Sequence, residues 1–164
     1  MESILLFQQN NFSTDVWWKL KNNTNGYKSS SGYDLVTEIA KGRIFRIAEK
    51  NLFSSKLLNQ KRLLVQLFED GYICWVNIET LMIEECDLNK NTKISHNPIS
   101  IQARVPAILK WIQTQSKEPN EYMWGGTIGP NYDCSGLIQA AFFHNHIYIP
   151  RDSYQMKGFC QHLF

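Results

Sequence analysis

From about residue 31 to residue 81, apolar positions recur in short runs that mix polar and apolar residues, the pattern of half-buried strands. The region 31–81 reads as all-β. Leu35-Val36 and Ile39 flank polar positions, Lys41-Gly42 reads as a turn, and Arg43-Ile44-Phe45-Arg46-Ile47 mixes polar and apolar residues. Two longer runs follow, Leu63-Leu64-Val65-Gln66-Leu67-Phe68 and Tyr72-Ile73-Cys74-Trp75-Val76, with Asp70-Gly71 between them. Asp-Gly between apolar runs is a hairpin signal, because a two-residue turn asks for positive φ at both positions. Short strands joined by tight turns predict a small barrel, with residues 48–61 as a loop.

The stretch EECDLNKNTKISHNPIS, which opens residues 84–102, has little apolar content and reads as a linker. Beyond it the period lengthens. Val105, Ile108, Leu109 and Ile112 fall at i, i+3, i+4 and i+7, one face of a helix. Pro106 suits the first turn of that helix, and Glu118-Pro119-Asn120 ends it. Trp124-Gly125-Gly126, Gly129-Pro130 and Asn131 form an irregular loop. A second helix is expected from Ser135 to about Phe143, with Leu137 and Ala141 on one face and Ile138 and Phe142 beside them; apolar over so much of its girth, it reads as buried. Pro150 starts a new segment. The expected organisation is therefore a β domain over 1–83, a linker over 84–102 and a second domain over 103–164.

Composition narrows the function classes. The chain has 164 residues, 43% of them hydrophobic, enough for one medium domain or two small ones. A net charge of +2 gives no case for nucleic acid or an anionic membrane as partner. The four cysteines, Cys74, Cys86, Cys134 and Cys160, form no CxxC pair. With no basic lead, long apolar stretch or cleavage site in MESILLFQQNNF, the expectation is reduced thiols in a cytoplasm. No segment approaches the roughly 20 apolar residues of a membrane span.

The candidate chemistry sits at Asp133-Cys134-Ser135-Gly136. Cys134 follows a Gly/Pro/Asn loop and opens a helix. A thiolate there would meet unpaired backbone N–H groups and the positive end of the helix dipole, both of which favour the anion. The same N–H groups can hold an oxyanion, so the arrangement suits a cysteine acyl-transfer enzyme. The alternative is a small buried hydrophobe. A metal site from Cys134, His144, His146, Cys160 and His162 fits no common zinc spacing, and no metal or other cofactor is expected.

Three motifs carry a resemblance. Tyr122-x-Trp124-Gly125-Gly126, Asp133-Cys134-Ser135-Gly136-Leu137 and Ile149-Pro150-Arg151-Asp152-Ser153-x-Gln155 resemble, in order and spacing, the NlpC/P60 family of papain-like cysteine peptidases. The earlier part resembles the bacterial SH3 domain of the cyanobacterial-type members: Tyr33-Asp34-Leu35, Ala40-x-Gly42-Arg43, and Glu69-Asp70-Gly71-Tyr72 with Trp75-Val76. The resemblance implies an α+β protein, an SH3-like β-barrel followed by the N-terminal, mainly helical part of a papain-like domain. It implies hydrolysis of the γ-D-glutamyl–diamino acid bond of peptidoglycan-derived peptides, with Cys134 as nucleophile. Tyr122, Asp133, Ser135, Asp152 and Ser153 match substrate-pocket positions, and Asp70 with Tyr72 resembles an acidic turn near the substrate's amine. Each keeps a plainer reading: Tyr122 packs its loop, Asp133 caps the helix, Arg151 pairs with a carboxylate, and Asp70-Gly71 serves a hairpin.

One element of the pattern is missing. The family places its base, a His, several tens of residues beyond the Cys, whereas this chain ends at Phe164, thirty residues after Cys134. His144 and His146 fall at the far end of the Cys134 helix, about 15 Å away; His96 lies in the linker and His162 near the terminus. The resemblance therefore implies an incomplete catalytic domain, inactive alone, with helix faces left uncovered and a complementary C-terminal chain as one possible partner. A wall-peptide binding module that does not cut is the alternative.

Overall fold

The computed structural model of the protein describes residues 13–48, 61–88 and 97–160. The chain divides into two compact units, Met1–Thr92 and Lys93–Phe164. The expected loop at 48–61 lies almost wholly outside the described residues, as do His96 and His162.

The first unit is a seven-stranded antiparallel sheet: β1 (Trp17–Leu20), β2 (Thr24–Tyr27), β3 (Leu35–Ile39), β4 (Ile44–Ile47), β5 (Arg62–Leu67), β6 (Ile73–Asn77) and β7 (Ile83–Cys86), in the order β3-β2-β6-β5-β4-β1-β7. Its register places inward residues opposite inward residues. Trp18 faces Phe45, which faces Leu67; Ile47 faces Val65, which faces Cys74; Leu63 faces Val76. All eight are buried in one core with Leu20, Ile39, Ile78, Leu81 and Ile83. A slip of one residue would turn each such set to solvent, so burial fixes the register.

Three strands fall outside the expected β region. β1 and β2 precede residue 31, and β7 occupies the start of the expected linker. Ile83 and Cys86 are buried while Glu84 and Glu85 stay exposed, so the acidic pair masks the strand. Gly26 masks β2: a Cβ there would lie 2.7 Å from both Cys74 Sγ and Thr37 Cγ2, and only glycine lets the strands approach so closely.

The Asp70-Gly71 turn joins β5 to β6 as expected, but not as a two-residue turn. Only Gly71 has positive φ, +69°, and Leu67 N–H donates to Tyr72 O across a four-residue loop. The loop is held from beneath by Arg43. Its Nε lies 3.1 Å from Glu69 Oε2 and its Nη2 2.9 Å from Asp70 Oδ2, while Ile44 N–H donates to Glu69 Oε1 at 2.8 Å. Burial alone would lower the Arg43 guanidinium, but Asp70 and Glu69 outweigh it and hold it above its ordinary value.

The second unit contains, among the described residues, helices α1 (Pro98–Gln115), α2 (Cys134–His144) and α3 (Ser153–Phe159). α1 begins five residues before the expected domain start. The Asn97 side chain accepts from Ile99 N–H at 2.9 Å and Pro98 takes the first turn, so the cap and proline end the linker at Asn97. Pro106 lies inside the helix, and the packed face differs from the expected one. Ile108 is buried and Ile101, Trp111 and Ile112 pack beside it, whereas Val105 and Leu109 are exposed. α2 is likewise half-covered: Gly136, Gln139, Ala140 and Ala141 are buried, but Ile138 is exposed. The core of this unit joins Ile108 to Ala141, Ile147 and Ile149. After α2 the chain reverses through His146, which takes a left-handed φ of +57°, a conformation that favours glycine.

Candidate active site

The site is built by a loop that closes on itself and delivers the chain into α2. Tyr122 and Tyr132 form a parallel bridge, Glu121 N–H donates to Asn131 Oδ1 at 2.8 Å, and Met123 N–H donates to Tyr132 O at 3.2 Å. Between these ends, Gly125 turns with φ +79° and Gly126 O accepts from Asp133 N–H at 3.1 Å. Gly126 then lies directly against the helix start. A Cβ on Gly136 would sit 1.9 Å from Gly126 O, and a Cβ on Gly126 would sit 2.6 Å from Asn131 O. The glycines of both motifs thus serve backbone-to-backbone packing of the loop on the helix.

Cys134 is the first residue of α2 and is exposed. It opens on a cleft of about 360 Å³, lined also by Gln115, Tyr122, Tyr132, Asp133 and Leu137. Tyr122 is 65% exposed. Its phenol is held above the ordinary value, first by partial desolvation and then by the nearby Cys134 and Asp133 charges. Tyr132 also lines the cleft: its hydroxyl donates to Gln115 Oε1 at 3.3 Å, and its ring meets Trp111 edge-on, which in turn stacks on His144 at 4.6 Å.

Asp133 is buried and its carboxylate is fully engaged. Oδ1 accepts from Gly136 N–H at 2.6 Å and from Ser135 Oγ at 3.2 Å; Oδ2 accepts from Gly125 N–H at 2.9 Å. Arg151 completes the set, with Nη2 2.6 Å from Oδ2 and Nη1 3.3 Å from Oδ1, and Nη1 also donates to Ser135 Oγ at 2.7 Å. Burial works to raise the carboxyl, but the Arg151 hydrogen bonds and charge and the Gly136 and Gly125 N–H groups prevail, leaving it below the ordinary carboxylate value.

The expected residues are therefore brought together unequally. Tyr122 and Asp133 line the cleft with Cys134. Ser135 is half-buried and tied to Arg151, Asp152 is the half-buried N-cap of α3 without a side-chain cap bond, and Ser153 is exposed at the start of that helix; none of the three lines this cleft. Asp70 belongs to the first unit, where its carboxylate pairs with Arg43 and accepts from Tyr72 N–H at 3.0 Å. The two described histidines stand at the C-terminal end of α2, about 15 Å of helix rise from Cys134. Among the described residues no group of three His, Cys, Asp or Glu could hold a metal ion. Gln115, Ser116, Glu121 and Tyr132 also line the cleft, and no sequence motif marks any of them.

Comparison with known proteins finds a family match over this region. Residues 119–163, the loop, α2 and α3, match the NlpC/P60 family, whose members are typically hydrolases of the cysteine-peptidase type. The match spans less than a third of the chain. No curated protein matches the chain. Among solved structures, it is similar to NlpC2 from Trichomonas vaginalis, with 13% identity and a TM-score of 0.39, over 91% of this chain and 74% of that one. It is also similar to an NlpC/P60 family protein from Bacillus cereus, with 17% identity and a TM-score of 0.29, over 91% of this chain and 42% of that one. Both scores are too low to establish a common fold over the whole chain.

Proposed function

We propose that the cleft beside Cys134 is the nucleophile side of a cysteine-peptidase site for cell-wall peptides, directed at the bond from the γ-carboxyl of D-glutamate to a diamino acid. The observation that carries this reading is the exposed thiol at the first position of α2, opening on a cleft, within the segment that matches NlpC/P60. In this reading the Cys134 thiolate attacks the γ-carbonyl. The Cys134 and Ser135 N–H groups at the helix start face the developing oxyanion, because Gly136 N–H is already bonded to Asp133. The Tyr122 hydroxyl is a further donor from the cleft wall. Expulsion of the diamino acid amine needs a proton donor, and neither described histidine stands near the thiol.

The same proposal reads the first unit as a bacterial SH3-like module of the cyanobacterial type, on the strength of its sequence motifs. A substrate-amine role for Asp70 competes there with its buried ion pair to Arg43, which favours the structural role. The placement of His144 and His146 supports a second reading, in which the cleft holds wall peptide without cutting it.

An L-alanyl-γ-D-glutamyl electrophile separates these readings from a structural cysteine. It is expected to label Cys134 well ahead of Cys160, which is also exposed, and Cys134→Ala is expected to abolish that label. Equal labelling of the two thiols would refute the proposal. Hydrolysis of an L-alanyl-γ-D-glutamyl-diamino-acid peptide, lost in Cys134→Ala, would show that a base reaches the thiol; binding without turnover that survives Cys134→Ala would favour the second reading.

A further inference from the structure

An N-cap needs one acceptor oxygen, and Asp133 Oδ1 supplies it to Gly136 N–H. The remaining bonds of this carboxylate exceed that task. They gather Gly125 from the preceding loop, Ser135 from the helix and Arg151 from the segment after α2 onto two oxygens. The guanidinium also holds Ser135 Oγ directly at 2.7 Å. The residues before and after Cys134 are therefore both fixed by the same side chain.

We infer that Arg151 is a positioning residue for Cys134, acting through Asp133 and Ser135 to fix the turn that presents the thiol to the cleft. The side chain is itself firmly placed. Arg151 is 3% exposed. The segment that carries it is anchored by buried Ile147 and Ile149, and Gln139 Nε2 on α2 donates to Ile149 O at 3.1 Å. Without the guanidinium, a buried carboxylate would lose its counter-charge and would either take up a proton or turn toward water. Gly125 and Gly136 would then lose their common acceptor, and the first turn of α2 would loosen at Cys134. Lysine cannot substitute, because a single ammonium does not present the planar fork that spans both Asp133 oxygens and Ser135.

The inference rests on Cys134 as the nucleophile but not on peptide turnover, so its test reads the thiol alone. Iodoacetamide is applied to the full chain, and the alkylation rates of Cys134 and Cys160 are followed by peptide mass, with Cys160 as internal standard. Arg151→Ala is expected to lower the Cys134:Cys160 rate ratio about tenfold, through loss of the helix-start environment. Arg151→Lys should recover little of it, and guanidinium at sub-denaturing concentration should recover part of it in Arg151→Ala. A folded Arg151→Ala protein, judged by circular dichroism, whose ratio stays within about twofold of the parent would overturn the inference. If Arg151→Ala does not fold, Ser135→Ala decides: a fall of about threefold, the scale of one lost hydrogen bond, supports it and an unchanged ratio overturns it.

Discussion

Each of the two units buries an arginine against carboxylates, and the two clusters do different work. In the first unit Arg43 holds Glu69 and Asp70 beneath the β5–β6 loop. In the second, Arg151 holds Asp133 and Ser135 at the start of α2. The neighbouring thiols show the contrast. Burial, partly offset by Arg43 and reinforced by Asp70, pushes Cys74 up to about 12, which leaves it an inert core residue. Cys134 stands in solvent beside its cluster. A buried arginine–carboxylate cluster is therefore not itself a functional mark; what distinguishes the second cluster is the exposed thiol beside it.

The largest effect separating the clusters is expected from Arg43→Met. It strands two carboxylates in the interior and should cost about 3–5 kcal/mol in denaturant unfolding, while the Cys134:Cys160 alkylation ratio of the folded protein stays as in the parent. A fall in that ratio would erase the distinction between the clusters. Next, Gly136→Ala should cost about 3 kcal/mol, because the added methyl meets the backbone oxygen of Gly126 and neither partner can give way. Gly158→Ala in α3, where a Cβ meets nothing within 4 Å, is the matched control and should not destabilise.

The smallest effect is one of pH. Asp133 has a depressed folded value, so its contribution is fully present above the ordinary aspartate value and is lost as pH falls through the folded one. The parent should therefore lose stability progressively below about pH 4, and Asp133→Asn should flatten that part of the profile. An unchanged profile would mean that the Arg151 pair contributes little to folding.

Part of this was legible in the sequence. β4, β5 and β6 announce themselves by apolar alternation and the Asp-Gly turn, since each packs one face on the core. β7 and β2 do not, because two glutamates and one close-packed glycine hide a period of two. The α1 face was misread at Val105 and Leu109 because an i, i+3, i+4, i+7 set fixes a face only when the helix's neighbour is known. The Asn97-Pro98 start was a readable signal, whereas Pro106, read as a first-turn residue, lies inside the helix. At the site, Asp133 as a cap and Arg151 as a carboxylate partner were each visible as separate readings. Their meeting was not, because only the return of the chain through Ile147 and Ile149 brings them together.

That return sets an order of assembly. Asp133 can bond Gly125 and Gly136 as soon as α2 begins to form, but its counter-cation lies 18 residues further along the chain. During synthesis the Cys134 thiol thus emerges before Arg151, and until Arg151 arrives the Asp133 carboxylate has water in place of its counter-charge. Burial of Asp133 and arrival of Arg151 become a single event, the docking of the Ile147–Arg151 segment onto α2.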